Sequence, residues 1–177
     1  MDFLKGIVIP IKDFHKVSSE ERLKIDSLIE QNYSNSGNSF PILDDDSLFF
    51  STLYEKYKKL CYELFNDFHI SEKNQTTCWC YRSSIDQYVS RWHNHLYTST
   101  INGVYYYQVD GDGIFFDHHG EEYHYIPQQE ELIIFPNYLK HKPDITTSKN
   151  RRYSINMEII TEESSSKLFK RYLNGLS

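Results

Sequence analysis

The stretch RYSINMEII, residues 152–160, decides the fold. On an extended chain Tyr153, Ile155, Met157 and Ile159 fall on one face, and Arg152, Ser154, Asn156 and Glu158 on the other. The apolar face asks for a packed layer. The polar face either meets water or lines the interior of a barrel that holds a ligand. Residues 102–108 repeat the pattern, with Asn102, Val104, Tyr106 and Gln108 sharing a face. Working outward, alternation predicts further strands at 77–82, 85–95, 101–109, 113–116, 122–126 and 131–135. Turn signals separate them at Asp110-Gly111-Asp112-Gly113, His119-Gly120, Pro127-Gln128 and Pro136-Asn137. Many short strands at this spacing predict a sandwich or barrel.

Before residue 77 the period is helical. Ser18-Ser19-Glu20-Glu21 reads as a capping box opening a helix through about Gln31, with Leu23, Ile25, Leu28 and Ile29 as its stripe. Asn32 to Asn38 reads as a loop. A second helix is expected from about Asp46 to Phe65, with Leu53, Tyr57, Leu60, Tyr62 and Leu64 on a broad apolar face. Residues 6–11 suit an edge strand, because Pro10 cannot donate to a central ladder. A short helix from Ser164 would carry Leu168, Phe169, Tyr172 and Leu173 on one side. One domain is expected: an N-terminal strand and supporting helices over 1–70, a β core over 77–160 and a C-terminal helix over 164–177.

Composition supports a mainly β body. Tyrosine (15) and phenylalanine (11) are abundant, and alanine is absent, which favours sheets over helices. The formal charge of −6 argues against a general nucleic-acid binder. Cys61, Cys78 and Cys80 are an odd set; Cys78-Trp79-Cys80 lacks the second pair of a structural zinc site. They are expected as packing residues in a reducing, cytoplasmic setting, and Trp79 and Trp92 are expected in the core. No run reaches membrane-spanning length, so no membrane partner is expected.

His93-Asn94-His95 carries the chemistry. Two histidines at i, i+2 on a strand share a face, with Cα atoms about 6.5 Å apart, a natural chelating pair for a transition metal. Trp92 and Leu96 would then take the opposite face. His141, after an apolar strand and the turn Phe135-Pro136-Asn137, supplies a third imidazole. His118, His119 and His124 lie by a tight turn and read as surface residues. Lys140, Lys142, Lys149 and Arg151 read as a solvated basic cluster, and Asp44–Asp46 as a loop with helix-capping acids.

The pieces WHNH, TINGVYYYQ, ELIIFPNYLKH and RRYSINMEI, in this order and spacing, resemble the 2-oxoglutarate/Fe(II)-dependent oxygenases. The likeness is greatest to the prolyl-hydroxylase-like members of marine bacteria and viruses. It spans Trp92–Ile159, about two-fifths of the chain. It implies a double-stranded β-helix (jelly-roll, cupin-like) with helices buttressing one sheet. It also implies Fe(II) as the metal, 2-oxoglutarate as co-substrate, and a small-molecule or peptidyl substrate to be hydroxylated. By position, His93 and His141 would be metal ligands and Arg152 would clamp the remote carboxylate of 2-oxoglutarate. Ser154 would add a hydroxyl, Tyr106 (or Tyr105, one residue out of register) a further donor, and Asn156 a deeper contact.

Residue 95 departs from the family. The resemblance leads one to expect Asp or Glu where this chain has His95. Three outcomes are open. His95 is itself the third ligand, which the spacing favours; or the position is left to water or an anion; or an acid such as Asp86 or Asp117 serves instead. Two other functions compete: a three-histidine cupin-like dioxygenase without 2-oxoglutarate, and a non-catalytic β-helix binding module. Arg152 discriminates, since an enzyme needs it inside the barrel and a binding module does not.

Overall fold

The computed structural model describes residues 4, 6–36, 39–41, 48–66, 68–74, 77–83, 90–145 and 152–176. In chain order the elements are β1 (Ile9–Ile11), α1 (Ser19–Ser36), β2 (Ser39–Pro41), α2 (Leu48–Phe65), β3 (Thr77–Ser83) and β4 (Ile101–Gln108). They continue with β5 (Ile114–His118), β6 (Glu121–Tyr125), β7 (Glu131–Pro136), β8 (Lys140–Pro143), β9 (Arg152–Ile159) and α3 (Ser165–Gly175). Six strands form one antiparallel sheet, ordered β1-β7-β4-β9-β3-β2, and three form a second, ordered β6-β5-β8. No helix is long and apolar enough to cross a membrane among the described residues.

The alternation of residues 152–160 decides which layer each side chain joins. Tyr153, Ile155, Met157 and Ile159 sit in a core shared with the helices, where Tyr57, Phe50, Leu53 and Phe65 of α2 are fully buried. Each such side chain contributes on the order of 1.5–3 kcal/mol relative to exposure. A second cluster, including Val104, Tyr106, Ile114, Phe116, Phe135 and Leu139, packs around the space between the sheets. The polar face of β9 turns into that same space. In register, Tyr106 lies opposite Ser154, Val104 opposite Asn156 and Asn102 opposite Glu158.

Gly103, central in β4, is required by a close approach. A Cβ there would lie 2.5 Å from Tyr57 Cε2. Without one, α2 settles on the sheet and the Tyr57 hydroxyl donates to the Ile101 carbonyl at 3.2 Å. The capping box forms as expected: Glu21 N–H donates to Ser18 Oγ at 3.3 Å, and Ser18 N–H to Glu21 Oε2 at 3.0 Å.

Several expectations need correction. Helix α1 runs to Ser36, so most of the loop expected from Asn32 is helical; extending a formed helix costs little per residue. The expected strand at 85–95 is not a strand in its described part, which begins at residue 90; only His93 makes an isolated bridge. The backbone there is drawn into other bonds. His95 N–H donates to the Asn137 carbonyl at 2.9 Å, and the His95 carbonyl accepts from Thr98 and Ser99 N–H. Trp92 is accordingly 38 % exposed rather than core, with Lys142 Nζ 4.4 Å from its ring centroid, and Trp79 is half-buried. Strands β2 and β8 were not foreseen. Lys149, Arg151, Asp86 and Asp44–Asp46 lie outside the described residues.

Candidate metal centre

The space between the sheets is a cavity of about 310 Å³. Strand β9 lends it Arg152, Ser154, Asn156 and Glu158; β4 lends Asn102, Val104 and Tyr106; β8 lends His141; and the segment before β4 lends Arg91, His93 and His95. His93, His95, His141, Arg152, Ser154, Asn156 and Tyr106 therefore meet in one place, whereas Tyr105 does not. Tyr105 points the other way, into the helix-side core, where its hydroxyl donates to the His15 carbonyl at 2.6 Å. The alternation of β4 makes the two tyrosines mutually exclusive.

His93, His95 and His141 each offer a ligand atom, all within 4.8 Å of one another. The backbone brings two of them together. His93 and His141 form an antiparallel bridge with N···O distances of 3.0 and 2.9 Å. Their Nδ1 atoms are occupied locally, His93 on the Arg91 carbonyl at 2.9 Å and His141 on the Leu139 carbonyl at 3.1 Å. Only a protonated Nδ1 can make those bonds, so Nε2 carries the lone pair in each neutral ring. His95 Nδ1 lies 3.3 Å from Thr98 Oγ1 and 2.5 Å from Glu158 Oε1.

The donor set fits a metal. His95 Nε2 and His141 Nε2 face one another at 3.3 Å. With both Nδ1 atoms engaged, the two Nε2 atoms are free to share a proton or a metal cation. Imidazole ligands about 2.1 Å from a metal lie roughly 3.0–3.4 Å apart, depending on coordination geometry. Burial, aided by the neighbouring His93 and His95, pulls His141 down to about 3, so its ring is neutral and ready to ligate. Burial also lowers His93, and the Arg91 carbonyl partly offsets this.

Arg152 is 3 % exposed, and its Nη1 donates to the Gly113 carbonyl at 3.0 Å. That bond ties the head of the arginine to the start of β5 across the cavity. Burial raises the Tyr106 phenol well above its ordinary value, and the Arg152 charge offsets part of the rise, so Tyr106 remains a neutral donor. Ser154 is buried and Asn156 partly so.

Sequence reasoning missed Glu158 as part of the site. It lies on the polar face of 152–160, and the fold brings its buried side chain to His95. Asp117, weighed as a substitute acid, instead accepts from Gly120 N–H in the β5–β6 turn at 2.9 Å. His124 lies 2.9 Å from Asp144 and stacks on Phe115, apart from the centre.

No family model and no curated protein matches the sequence. Solved structures do match. HygX from Streptomyces hygroscopicus, with nickel and 2-oxoglutarate bound, superposes with a TM-score of 0.67 at 10% identity, covering 93% of this chain and 86% of that one. A Pseudomonas putida prolyl-4-hydroxylase superposes at 0.64 with 12% identity over 92% and 97% of the two chains. A prolyl 4-hydroxylase from Phytophthora capsici gives 0.65 at 10% identity over 91% of this chain, which spans 61% of that one. The fold is thus the jelly-roll of the 2-oxoglutarate/Fe(II) oxygenases, as expected from the sequence.

Proposed function

We propose that the protein is a 2-oxoglutarate- and Fe(II)-dependent oxygenase that hydroxylates a small-molecule or peptidyl substrate, with His93, His95 and His141 as its metal ligands. One observation carries this reading: three convergent imidazoles share one cavity with a buried arginine. Bound together, Fe(II) and 2-oxoglutarate would supply the oxygen activation that no side chain provides.

The chain's own residues do the rest. Arg152 binds the remote carboxylate of the co-substrate; its guanidinium has five donors, so the bond to Gly113 leaves others for the anion. Ser154 and Tyr106, opposite one another in register, add hydroxyl donors from two adjacent strands. Asn156 contacts the co-substrate from the same face. The apolar walls, including Val104, Ile114 and Phe135, exclude water and so strengthen each of these bonds. The three cysteines are free and buried, which suits the cytoplasmic setting expected from the sequence.

Imidazole at position 95 favours a second reading, a three-histidine dioxygenase that does not use 2-oxoglutarate. The two separate in an anaerobic titration of metal-free protein with Fe(II) and then 2-oxoglutarate. A weak visible charge-transfer band, lost in Arg152→Ala, is the expected result. Iron binding without the band favours the second reading. If neither binds, the fold serves a non-catalytic purpose.

A further inference from the structure

Taking that reading as its basis, we propose that Glu158 is a positioning residue that returns to the metal centre the negative charge residue 95 does not provide. His95 offers a neutral imidazole where the resemblance leads one to expect a carboxylate. The carboxylate is displaced outward by one ring: Glu158 Oε1 lies 2.5 Å from His95 Nδ1, and His95 Nε2 faces the other histidines. The carboxylate and the ligating nitrogen thus occupy opposite edges of one ring, so the pair acts as a single anionic ligand.

Three observations support this. Glu158 is buried, its side chain 4 % exposed, so its charge acts through a poorly screening medium. Thr98 Oγ1 donates to the same Oε1 at 3.3 Å, a second bond that helps hold the carboxylate at His95. His93 and His141, by contrast, rest their Nδ1 atoms on neutral backbone carbonyls. The three imidazoles are therefore inequivalent, and the one with a carboxylate behind it occupies the departing position. Outer partners of this kind fix the tautomer and make the ring more basic, with 10–100-fold effects on metal affinity.

The role is in positioning and charge, so the test reads metal affinity and its sign. Wild type, Glu158→Gln, His95→Asp and the double variant are titrated with Co(II), followed by the cobalt visible spectrum and by tryptophan fluorescence, Trp79 lying 6.4 Å from the His95 ring. Glu158→Gln keeps an oxygen acceptor and the side-chain volume but removes the charge. In the wild-type background it is expected to weaken Co(II) binding ten- to a hundred-fold and to shift the cobalt bands. In the His95→Asp background the same change is expected to have no cost or to tighten binding, because two carboxylates then crowd one site. A merely structural Glu158 would weaken both backgrounds equally, and that result overturns the inference. Equal Co(II) affinity for wild type and Glu158→Gln overturns it too, while leaving the oxygenase reading intact. Failure of the wild type to bind Co(II) at all sinks that reading and this inference together. Should Glu158→Gln not fold, Glu158→Asp, which keeps the charge, replaces it. The expected loss is then under ten-fold, and a loss as large as that of removing His95 overturns the inference.

Discussion

His93 and His141 are paired twice over. Their backbones exchange two hydrogen bonds, and their rings lie 4.2 Å apart between centroids. Forty-eight positions apart in the chain, they are fixed relative to one another by main chain as well as by ring packing. Two of the three ligand candidates are therefore preorganised, and ordering them costs nothing further when a cation arrives.

Removing Arg152 should abolish co-substrate binding. Arg152→Ala is expected to weaken 2-oxoglutarate by at least about a hundred-fold, the worth of a buried bidentate charge pair, while leaving Fe(II) affinity within a few-fold. Arg152→Lys should recover part of the loss. Calorimetric titration of the iron-loaded protein measures both. A loss of iron affinity as large as that of 2-oxoglutarate would show that Arg152 supports the centre as a whole.

The two adjacent tyrosines should separate cleanly. Tyr106→Phe is expected to raise the Kd for 2-oxoglutarate several-fold with little change in stability. Tyr105→Phe removes the bond to the His15 carbonyl and should cost about 1 kcal/mol of stability, with co-substrate binding unchanged. Urea melts and co-substrate titrations of both variants form the check. The reverse pattern would mean that β4 is out of register by one residue.

Gly103→Ala tests the packing of helix on sheet. The added methyl meets the Tyr57 ring, and expelling that ring strains a fully buried core. A loss of about 1–3 kcal/mol in a urea melt is expected. Gly111→Ala, where a Cβ meets nothing within 4 Å but φ is +79°, should cost only the backbone strain.

Acid should weaken the metal-free protein through His141. Its folded value, about 3, lies below the roughly 6.5 of the unfolded chain, so the unfolded state binds the proton first. The contribution is fully present above about pH 6.5 and is lost as the pH falls toward 3. Between pH 7 and 5 this amounts to about 2 kcal/mol at roughly 1.4 kcal/mol per unit. Urea melts at both pH values should show the loss in wild type and a smaller one in His141→Phe, where the lowered His93 still contributes.

The sheet faces were legible because a period of two survives any error in strand ends. Arg152, Ser154 and Asn156 were assigned to one side, and they line the cavity. The capping box was legible because its two side chains are three residues apart. What could not be read depends on contacts distant in sequence. The segment around His93 is expected to alternate as a strand, yet the His95 N–H donates to the Asn137 carbonyl and the His95 carbonyl accepts from Thr98 and Ser99 N–H. Strand β8 is four residues of Lys, His, Lys and Pro, with no apolar alternation to announce it. The contact of Glu158 with His95 joins segments far apart in sequence, which no local pattern specifies.

The contributors to the cavity divide by layer. Arg152, Ser154, Tyr106 and Asn156 belong to two neighbouring strands of the larger sheet, whereas His141 belongs to the smaller one and His93 and His95 to the chain segment bridged to it. The two groups thus sit on separate pieces of architecture, touching where β9 carries Glu158 to His95. On the proposed reading, a change at residue 95 alters the metal centre while Arg152, Ser154 and Tyr106 keep their places, so the two functions of the cavity can be varied one at a time.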